Sequence, residues 1–454
     1  MSVVFVHVSD IHFGQEKDDR VHIHADVKQQ LIVDAREVIS NIPGGVAHGI
    51  LVTGDIAQSG TTEQYQAAGR WLDELAANIG VESHCVQMVP GNHDLDRSKL
   101  SIGGEAILNH IRAGGAKEYE DVLNDPNDRA TLYARFKDYD DFSFGYNCPL
   151  NGEGSYASEM EVNIAPGRSI RFIRFNSALL CHGGEGDEKP ELIIGARQFI
   201  IPRSDGIENI VLVHHPLHWY KDQEPVRNYI RSRARVFISG HEHDPKVTVE
   251  NVEEGCDLLM LAAGATVPYK SDDEYTFTYN VIEFDWDEKL DGLSVTMHPR
   301  AWNPTRTCFE DDPKRLGGKE PNFRLACPNF SKAARTPSQP APQTPVHLAA
   351  EENSFRRTSI GEITSMESEG GEKLMQPMKE GYEKARLMFF RDLFESERIR
   401  VLVDLDALSE GSDERMSQGL ERRLFDSLIR EGKLKDIERM IETIISERKK
   451  EANQ

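Results

Sequence analysis

The sequence predicts an α/β domain followed by a small all-α C-terminal module. Short apolar, β-branched runs alternate with amphipathic segments through the first two thirds of the chain, a Pro-rich stretch follows, and helical periodicity returns near the C-terminus. The 454 residues exceed what one compact domain normally holds. We therefore expect a large domain at residues 1–330, a linker at 331–380 and a helical module at 381–454.

The strands of the large domain are predicted from runs that are apolar on both faces. In chain order these runs are residues 3–8, 50–53, 86–89, 170–175, 210–213, 236–238, 258–262 and 279–284. Residues 24–40 and 61–79 have the periodicity of amphipathic helices. Residues 102–145 are predicted to form a helical insertion that caps a cleft.

Five clusters of metal-ligating side chains follow directly after five of these strands. They are Asp10-Ile11-His12, Gly54-Asp55, Gly91-Asn92-His93-Asp94, His214-His215-Pro216 and Gly240-His241-Glu242-His243. Sheet proteins commonly place their sites at strand ends. Carboxylates and neutral imidazoles together suit a pair of divalent ions, which can hold a bridging hydroxide and clamp phosphoryl oxygens. For one histidine an ordinary hydrogen-bonded role is the commoner interpretation, but five clusters in series favour a dinuclear site.

The motif order D-x-H, G-D, G-N-H-D, H and G-H-x-H resembles the calcineurin-like metallophosphoesterase superfamily. The likeness runs through residues 10–243 and implies a catalytic domain with a four-layer fold, a two-sheet sandwich flanked by helices. It implies that one metal is bound by Asp10, His12, Asp55 and His243, and the other by Asp55, Asn92, His214 and His241. His93 would serve the leaving oxygen, with Asp94 orienting its ring. An inactive metal-binding relative is the alternative, although it usually lacks a ligand and none is missing here.

The resemblance implies a dinuclear metal-dependent phosphoesterase, and we expect a phosphodiesterase acting on a nucleotide or nucleic acid through a metal-bridging hydroxide. Residues 54–60 are similar to the corresponding stretch of class III cyclic-nucleotide phosphodiesterases, whereas residues 9–14 also resemble the first motif of repair exonucleases. A DNA nuclease is therefore the alternative enzyme. The ligand types suit manganese, iron, zinc or nickel alike.

Three further residues near the motifs have two interpretations each, and a fourth has one. Trp219 either stacks on a nucleobase or packs at the rim, and Arg97 either meets a substrate phosphate or pairs within its own loop. His182, on a Gly-rich loop, is either a second substrate contact or a solvated residue. His7 alternates within a strand and is expected to be a core histidine.

Composition narrows the class of protein. The net charge of −23 argues against a broadly basic nucleic-acid surface, although it does not exclude a local groove. Six scattered cysteines form no C-x-x-C pair, which is typical of reduced thiols. No apolar run reaches membrane-spanning length and no signal peptide is evident. We therefore expect a cytoplasmic enzyme that does not interact with a membrane.

The C-terminal module carries apolar residues at helical spacing from Tyr382 onward, including Leu402, Leu428, Ile437 and Ile441. About 70 residues make a marginal core alone. The module resembles the small helical adaptor domains of bacterial conflict-system effectors, which implies an effector recruited by a protein partner. Self-association through residues 381–454, or docking on the chain itself, is the alternative, and an interaction protein is the alternative function from a different class.

Overall fold

The computed structural model describes residues 2–16, 20–158, 160–183, 190–242, 247–250, 257–268, 276–333, 381–408 and 418–451. The chain divides into two compact units. The first comprises Met1–Ala333 together with Phe390–Phe394, and the second comprises the rest of the C-terminal part.

The first unit is built on strands that belong to two sheets. Among the described residues these are β1 (Val3–Val8), β2 (Gly49–Val52), β3 (Val86–Met88), β4 (Glu161–Ala165), β5 (Arg168–Arg174), β6 (Ile207–Val213), β7 (Ala234–Ser239), β8 (Val247–Glu250), β9 (Leu258–Ala262), β10 (Thr278–Asp287), β11 (Gly292–Asn303), β12 (Cys308–Asp311) and β13 (Asn322–Leu325). Its helices are α1 (Arg20–Asn41), α2 (Thr62–Ile79), α3 (Ile102–Gly114), α4 (Ala116–Asn124), α5 (Pro126–Tyr133), α6 (Lys137–Gly145), α7 (Ala196–Phe199), α8 (Gln223–Arg233) and α9 (Pro328–Ala333).

Both sheets mix parallel and antiparallel strands. The first has the order β12-β11-β10-β1-β2-β3, with β13 also paired to β11, and the second has the order β4-β5-β6-β7-β9-β8. Strands β1, β2 and β3 run parallel, as do β5, β6, β7 and β9. Since connections between parallel strands must cross back over a sheet face, helices come to cover the sheets.

The core between the sheets explains the apolar runs of the sequence. Phe5 of the first sheet contacts Phe172 of the second, with ring centroids 5.0 Å apart, and both are fully buried. Leu51, Leu212 and Ile238 belong to the same buried cluster. A second cluster on the other face of the second sheet includes residues of α3, α4 and α5. Helices α3, α4 and α5 therefore pack against this sheet, whereas α6 packs on α2, where Phe142 stacks on Tyr65 with ring centroids 4.9 Å apart.

The α/β fold class, with two sheets flanked by helices and a helical C-terminal part, is confirmed. The predicted strands all occur, with bounds that differ by a few residues, and the helices predicted at 24–40 and 61–79 are α1 and α2. Strands β4, β8, β11, β12 and β13 were not predicted. Much of β11 alternates between buried and half-exposed residues, so it lacks the continuous apolar run that marked the central strands.

The second unit is helical in its described part. Residues 381–387 form a helix that continues as the π-helical turn Met388–Asp392, and the helices Glu395–Asp404, Gln418–Arg430 and Leu434–Glu451 follow. Phe389 and Phe425 meet with ring centroids 4.9 Å apart. The predicted apolar residues Leu402, Leu428, Ile437 and Ile441 are buried. The buried ion pair of Arg398 with Glu421, at 3.2 Å, lies in the same unit. The predicted helix break at Gly411 and Ser412 lies outside the described residues.

The segment Phe390–Phe394 belongs to the first unit. The Phe390 ring meets Phe144 edge-on, with centroids 4.7 Å apart, and Arg391 forms an ion pair with Asp73 at 2.5 Å. Arg391 Nη1 also lies 3.2 Å from the Tyr146 hydroxyl.

In the described part of the chain, no helix is both long and apolar enough to span a bilayer.

Candidate dinuclear metal centre

The carboxyl ends of β1, β2, β3, β6 and β7 bring the predicted ligands together. Asp10 and His12 follow β1, and the Asp10 N–H donates to the Gly54 carbonyl at 3.0 Å while the His12 N–H donates to the Asp55 carbonyl at 3.0 Å. The loop after β1 is thus hydrogen-bonded to the loop after β2. This pairing places the side chains of both loops at one edge of the first sheet.

Four of these residues adopt the left-handed backbone region that L-residues rarely occupy. The φ angles are 53° for Asp10, 51° for His12, 53° for Asp55 and 65° for His241. Each such residue costs on the order of 1 kcal/mol or more, and such strain is concentrated at functional sites. The backbone here is shaped to aim particular side chains.

Two glycines allow the loops to approach each other. A Cβ on Gly91 would lie 2.2 Å from Asp55 Oδ1, and a Cβ on Gly240 would lie 2.2 Å from Ser9 Oγ. Neither distance is tolerable, so a side chain at either position would push a loop of the site away. The glycines predicted to permit sharp turns therefore also permit close packing around the carboxylates.

The ligand atoms form two groups that share one carboxylate. The first group comprises Asp10, Asp55, His214 and His241, and the second comprises His12, Asp55 and His93; within each group the candidate ligand atoms lie within 4.8 Å of one another. Because Asp55 belongs to both groups, it occupies the position that a bridging ligand requires. The predicted ligand His243 lies outside the described residues.

Hydrogen bonds orient the imidazole of His214. Its Nδ1 donates to the Thr53 carbonyl oxygen at 2.7 Å. Its Nε2 then faces Asn92 Oδ1 at 3.1 Å and Asp55 Oδ2 at 3.5 Å. The repulsion between these three atoms is relieved by positive charge among them, either a proton on Nε2 or a bound cation. These residues therefore fit a divalent ion.

The Asp10 carboxylate is oriented from two directions. Ser9 Oγ donates to Asp10 Oδ2 at 2.6 Å, and the backbone N–H of His241 donates to the same oxygen at 3.1 Å. The other oxygen lies 3.9 Å from His12 Nε2. One oxygen is thus held by protein donors, while the other faces the ligand group.

Charges within the cluster are strongly coupled. Burial opposes ionisation of Asp55, but His214, His12 and His93 together hold its pKa well below the usual range. Burial likewise opposes protonation of His214, yet the charge and hydrogen bond of Asp55 raise its pKa to about 9. The site thus favours positive charge next to Asp55, as a metal centre must.

His93 and Asp94 are placed differently from the prediction. His93 Nδ1 lies 3.0 Å from the Gln58 carbonyl oxygen, to which it can donate, and the His93 ring is edge-on to His12 with centroids 4.8 Å apart. The expectation that Asp94 orients this ring is wrong, because Gln58 performs that role. The role of His93 at the leaving oxygen stays a prediction.

Asp94 instead organises the backbone under the site. Its carboxylate is fully buried and accepts hydrogen bonds from Ala57 N–H at 2.9 Å, Gly91 N–H at 2.9 Å and the Tyr65 hydroxyl at 3.1 Å. Burial and the neighbouring charge of Asp55 raise the Asp94 pKa to about 6, against the opposing effect of the backbone donors. Asp94 therefore fastens the loop after β2 to the loop after β3.

The sequence interpretation gave no role to His215, which the structure places beside the ligands. Its Nδ1 lies 2.8 Å from Ser177 Oγ, and its ring centroid lies 4.6 Å from that of His241. Burial and the charges of His241 and His214 lower the His215 pKa well below its usual value. His215 is adjacent to a ligand in the sequence, but nothing in the motif marked its partner Ser177, which follows a different strand.

The secondary candidates divide between site and core. The Trp219 ring meets His241 edge-on with centroids 4.4 Å apart, so it packs at the rim of the ligand cluster. Arg97 donates to the Asn92 carbonyl at 3.3 Å and is exposed. His182 is half-buried. His7 is fully buried between Thr53 Oγ1 at 2.9 Å and Asn280 Nδ2 at 3.2 Å, which confirms it as a core histidine.

Comparison with known families agrees with this arrangement. The model of the calcineurin-like phosphoesterase family matches residues 3–245, more than half of the chain. The chain therefore belongs to the calcineurin-like phosphoesterase family. A second model, described as a GTPase-associated adaptor domain, matches residues 381–443.

Among curated proteins, the chain is similar to the uncharacterized metallophosphoesterase-like protein YydB of Bacillus subtilis (strain 168), at 24% identity over 317 residues. The match covers 67% of this chain and 60% of YydB, so the chain spans about three fifths of that relative's length.

Solved structures similar to the chain include purple acid phosphatase PPD1 from yellow lupin (12% identity, TM-score 0.38, 77% of this chain and 57% of that one). They also include the calcineurin-like phosphoesterase YfkN from Bacillus subtilis (11% identity, TM-score 0.30, 72% of this chain and 90% of that one).

Proposed function

We propose that the first unit is a dinuclear metal-dependent phosphodiesterase that hydrolyses a nucleotide or nucleic-acid phosphodiester. The observation that carries the proposal is the position of Asp55, which is common to both groups of ligand atoms. Asp10 lies in the group with His214 and His241 but also 3.9 Å from His12 Nε2, so Asp10, His12 and His243 would complete one metal site with Asp55. Asn92, His214 and His241 would complete the other. Bound divalent ions would supply an activated water and neutralise charge on the phosphoryl oxygens.

The protein's own contribution is orientation. The Thr53 carbonyl fixes the tautomer of His214, and Ser9 fixes the rotation of the Asp10 carboxylate. His93 holds one proton on Nδ1 toward Gln58, so a second proton on Nε2 would be available to the leaving oxygen. His93 is the catalytic acid in this proposal, and Asp94 is a positioning residue.

The role assigned to His93 favours an ester whose leaving group is an alkoxide, whether that ester is a monoester or a diester. An alkoxide leaving from a nucleotide sugar is a strong base and needs a proton, which a neighbouring imidazole supplies. A DNA nuclease would use the same residues, so the substrate must be separated by experiment. A cytoplasmic location belongs to the same proposal.

The test is a substrate screen with purified full-length protein and added Mn²⁺. It would compare bis(p-nitrophenyl) phosphate, p-nitrophenyl phosphate, cyclic nucleotides, dinucleotides, and single- and double-stranded DNA. Faster turnover of diesters than of p-nitrophenyl phosphate is expected. Preference for the monoester would overturn the diesterase proposal, and no Mn²⁺-dependent turnover of any ester would overturn the enzymatic one.

We also propose that the second unit recruits a protein partner. The support is its match to a model described as a GTPase-associated adaptor domain, and its small core built around Phe389 and Phe425. A partner GTPase would bind the full-length chain but not a chain that ends at Ala333. A dimer of the full-length chain that dissociates on this truncation would instead favour self-association.

A further inference from the structure

We propose that Arg97 binds a phosphate that flanks the scissile one, so that the preferred substrate is a nucleotide chain with consecutive phosphates. The inference rests on the proposed diesterase function and specifies its substrate class. A cyclic mononucleotide, with a single phosphate, would leave Arg97 unused.

Arg97 is an exposed cation beside the ligand cluster. It begins the short 3₁₀ turn Arg97–Lys99, whose first turn is capped by Asp96 Oδ1 accepting from the Ser98 N–H at 3.0 Å. Within the described part of the chain, no carboxylate pairs with Arg97, whereas the neighbouring Lys99 pairs with Asp138 at 3.0 Å. A guanidinium without a carboxylate partner among the described residues is conspicuous in a chain of net charge −23.

The guanidinium is held at a defined place. Its Nη2 donates to the Asn92 carbonyl at 3.3 Å, one of the several hydrogen bonds that the five N–H donors of a guanidinium can form. Gly183 lies against it from the other side, with a φ of 92°, and a Cβ there would lie 3.0 Å from Arg97 Nη1. The loops after β3 and after β5 therefore meet around Arg97.

A buried arginine fastens these two loops together. Arg135, which is 1% exposed, donates to the Leu179 carbonyl at 2.6 Å and to the Cys181 carbonyl at 2.5 Å. Its own carbonyl accepts from the Asp96 N–H at 3.0 Å. Arg135 belongs to the helical insertion, so the insertion fixes the loops that present Arg97.

The position of Arg97 determines which anion it can serve. The Asn92 side-chain oxygen Oδ1 lies 3.1 Å from His214 Nε2, whereas the Asn92 backbone carbonyl accepts the hydrogen bond from Arg97. Arg97 therefore lies next to the ligand cluster and contacts the backbone of a predicted ligand. The scissile phosphate would be held within the cluster, and the remaining donors of Arg97 suit the next phosphate along.

Two substrates that differ only by one phosphate test the inference. Thymidine 5′-(p-nitrophenyl phosphate), with and without a 3′-phosphate, would be compared in kcat/KM for wild-type, Arg97→Ala, Arg97→Lys and Lys99→Ala proteins. We expect the 3′-phosphate to raise the kcat/KM of the wild-type protein. Arg97→Ala should lower kcat/KM roughly tenfold on the 3′-phosphorylated substrate and leave it unchanged on the other. Arg97→Lys should restore part of the loss, and Lys99→Ala should match the wild type.

The outcomes separate this inference from the proposed function. Equal loss on both substrates, or no loss on either, would overturn the role of Arg97 while leaving the diesterase proposal intact. Binding of thymidine 3′,5′-bisphosphate to metal-free protein, measured by calorimetry, does not depend on turnover. If wild-type protein hydrolyses neither ester, the diesterase proposal fails; unchanged calorimetric affinity in Arg97→Ala would then refute the anion site as well.

Discussion

His214 donates its Nδ1 hydrogen to the Thr53 carbonyl oxygen at 2.7 Å, and this one contact decides which nitrogen faces the carboxylates. Thr53 directly follows β2, two residues before Asp55, so the strand that leads to this shared carboxylate also orients the imidazole that follows β6. A hydrogen bond of this kind raises the basicity of the ligand and fixes its tautomer. The two sheets are thereby joined at the candidate metal centre.

Asp55→Asn tests the shared position of this carboxylate. The amide is similar in size but neutral, so we expect metal content to fall and turnover to drop by more than roughly a hundredfold. Metal analysis after dialysis, together with turnover of bis(p-nitrophenyl) phosphate, measures both effects. His110→Ala is the control, since His110 is an exposed residue of α3. Wild-type activity in Asp55→Asn would refute a bridging role.

His93→Ala tests the acid. Its loss should slow a dinucleotide, whose leaving alkoxide needs a proton, by roughly 10²–10⁴-fold, and should slow nitrophenyl esters much less. Metal content is expected to stay near the wild-type value. A matched loss on both leaving groups would assign His93 to substrate binding or to metal binding, in keeping with its place in the group with His12 and Asp55.

Gly91→Ala tests the close approach of the loops after β2 and β3. The added Cβ would meet Asp55 Oδ1 at 2.2 Å and Asp55 N at 2.5 Å, so we expect a loss of roughly 1–3 kcal/mol in the free energy of unfolding and weaker metal binding. Gly103→Ala is the matched control. Its Cβ would meet only Ser101 Oγ, at 3.8 Å, on an exposed turn of α3, so it should be neutral or stabilising by about 0.5–1 kcal/mol. Urea unfolding of the two metal-free variants gives the comparison.

His7 predicts a pH dependence of stability. Burial, aided by the charge of Arg315, lowers its pKa from 6.5 to about 3 in the folded chain. Between these values the unfolded chain binds a proton that the folded chain does not, so stability is lost as the pH falls from about 6.5 toward 3. In His7→Gln, the free energy of unfolding should depend less on pH over that range, because about one proton fewer is taken up when the chain unfolds. An unchanged slope would mean that His7 is protonated in the folded state.

The sequence was sufficient for the central strands and for the convergence of most ligands. The runs at residues 3–8 and 210–213 are apolar on both faces, and only a strand buried between two layers has that pattern. Asp10 and His214 follow these runs directly, so their meeting at strand ends could be anticipated. Contacts that depend on the relative placement of loops could not be predicted from the sequence.

Asp94 and His215 illustrate this limit. The sequence places Asp94 next to His93, yet the backbone turns so that its carboxylate faces Ala57 N–H instead. His215 finds its partner Ser177 38 residues away, across two parallel strands. Neither contact has a periodicity or a spacing that could reveal it, because each depends on the path of a loop.

A chain that ends at Ala333 tests the division between the two units. The described ligands all precede residue 243, so we expect this shorter chain to fold, bind metal and hydrolyse bis(p-nitrophenyl) phosphate. The shorter chain also lacks Phe390–Phe394, which belong to the first unit. It therefore loses the ion pair of the buried Arg391 with Asp73 and the contact of Phe390 with Phe144.

We expect a lower melting temperature for the shorter chain, because burial of Phe390 contributes about 1.5–3 kcal/mol. Arg391→Ala in the full-length chain should reproduce part of that decrease while leaving metal content unchanged. If the shorter chain is as stable as the full-length protein, Phe390–Phe394 do not stabilise the first unit; if it folds but neither binds metal nor turns over the ester, the metal centre needs residues beyond Ala333.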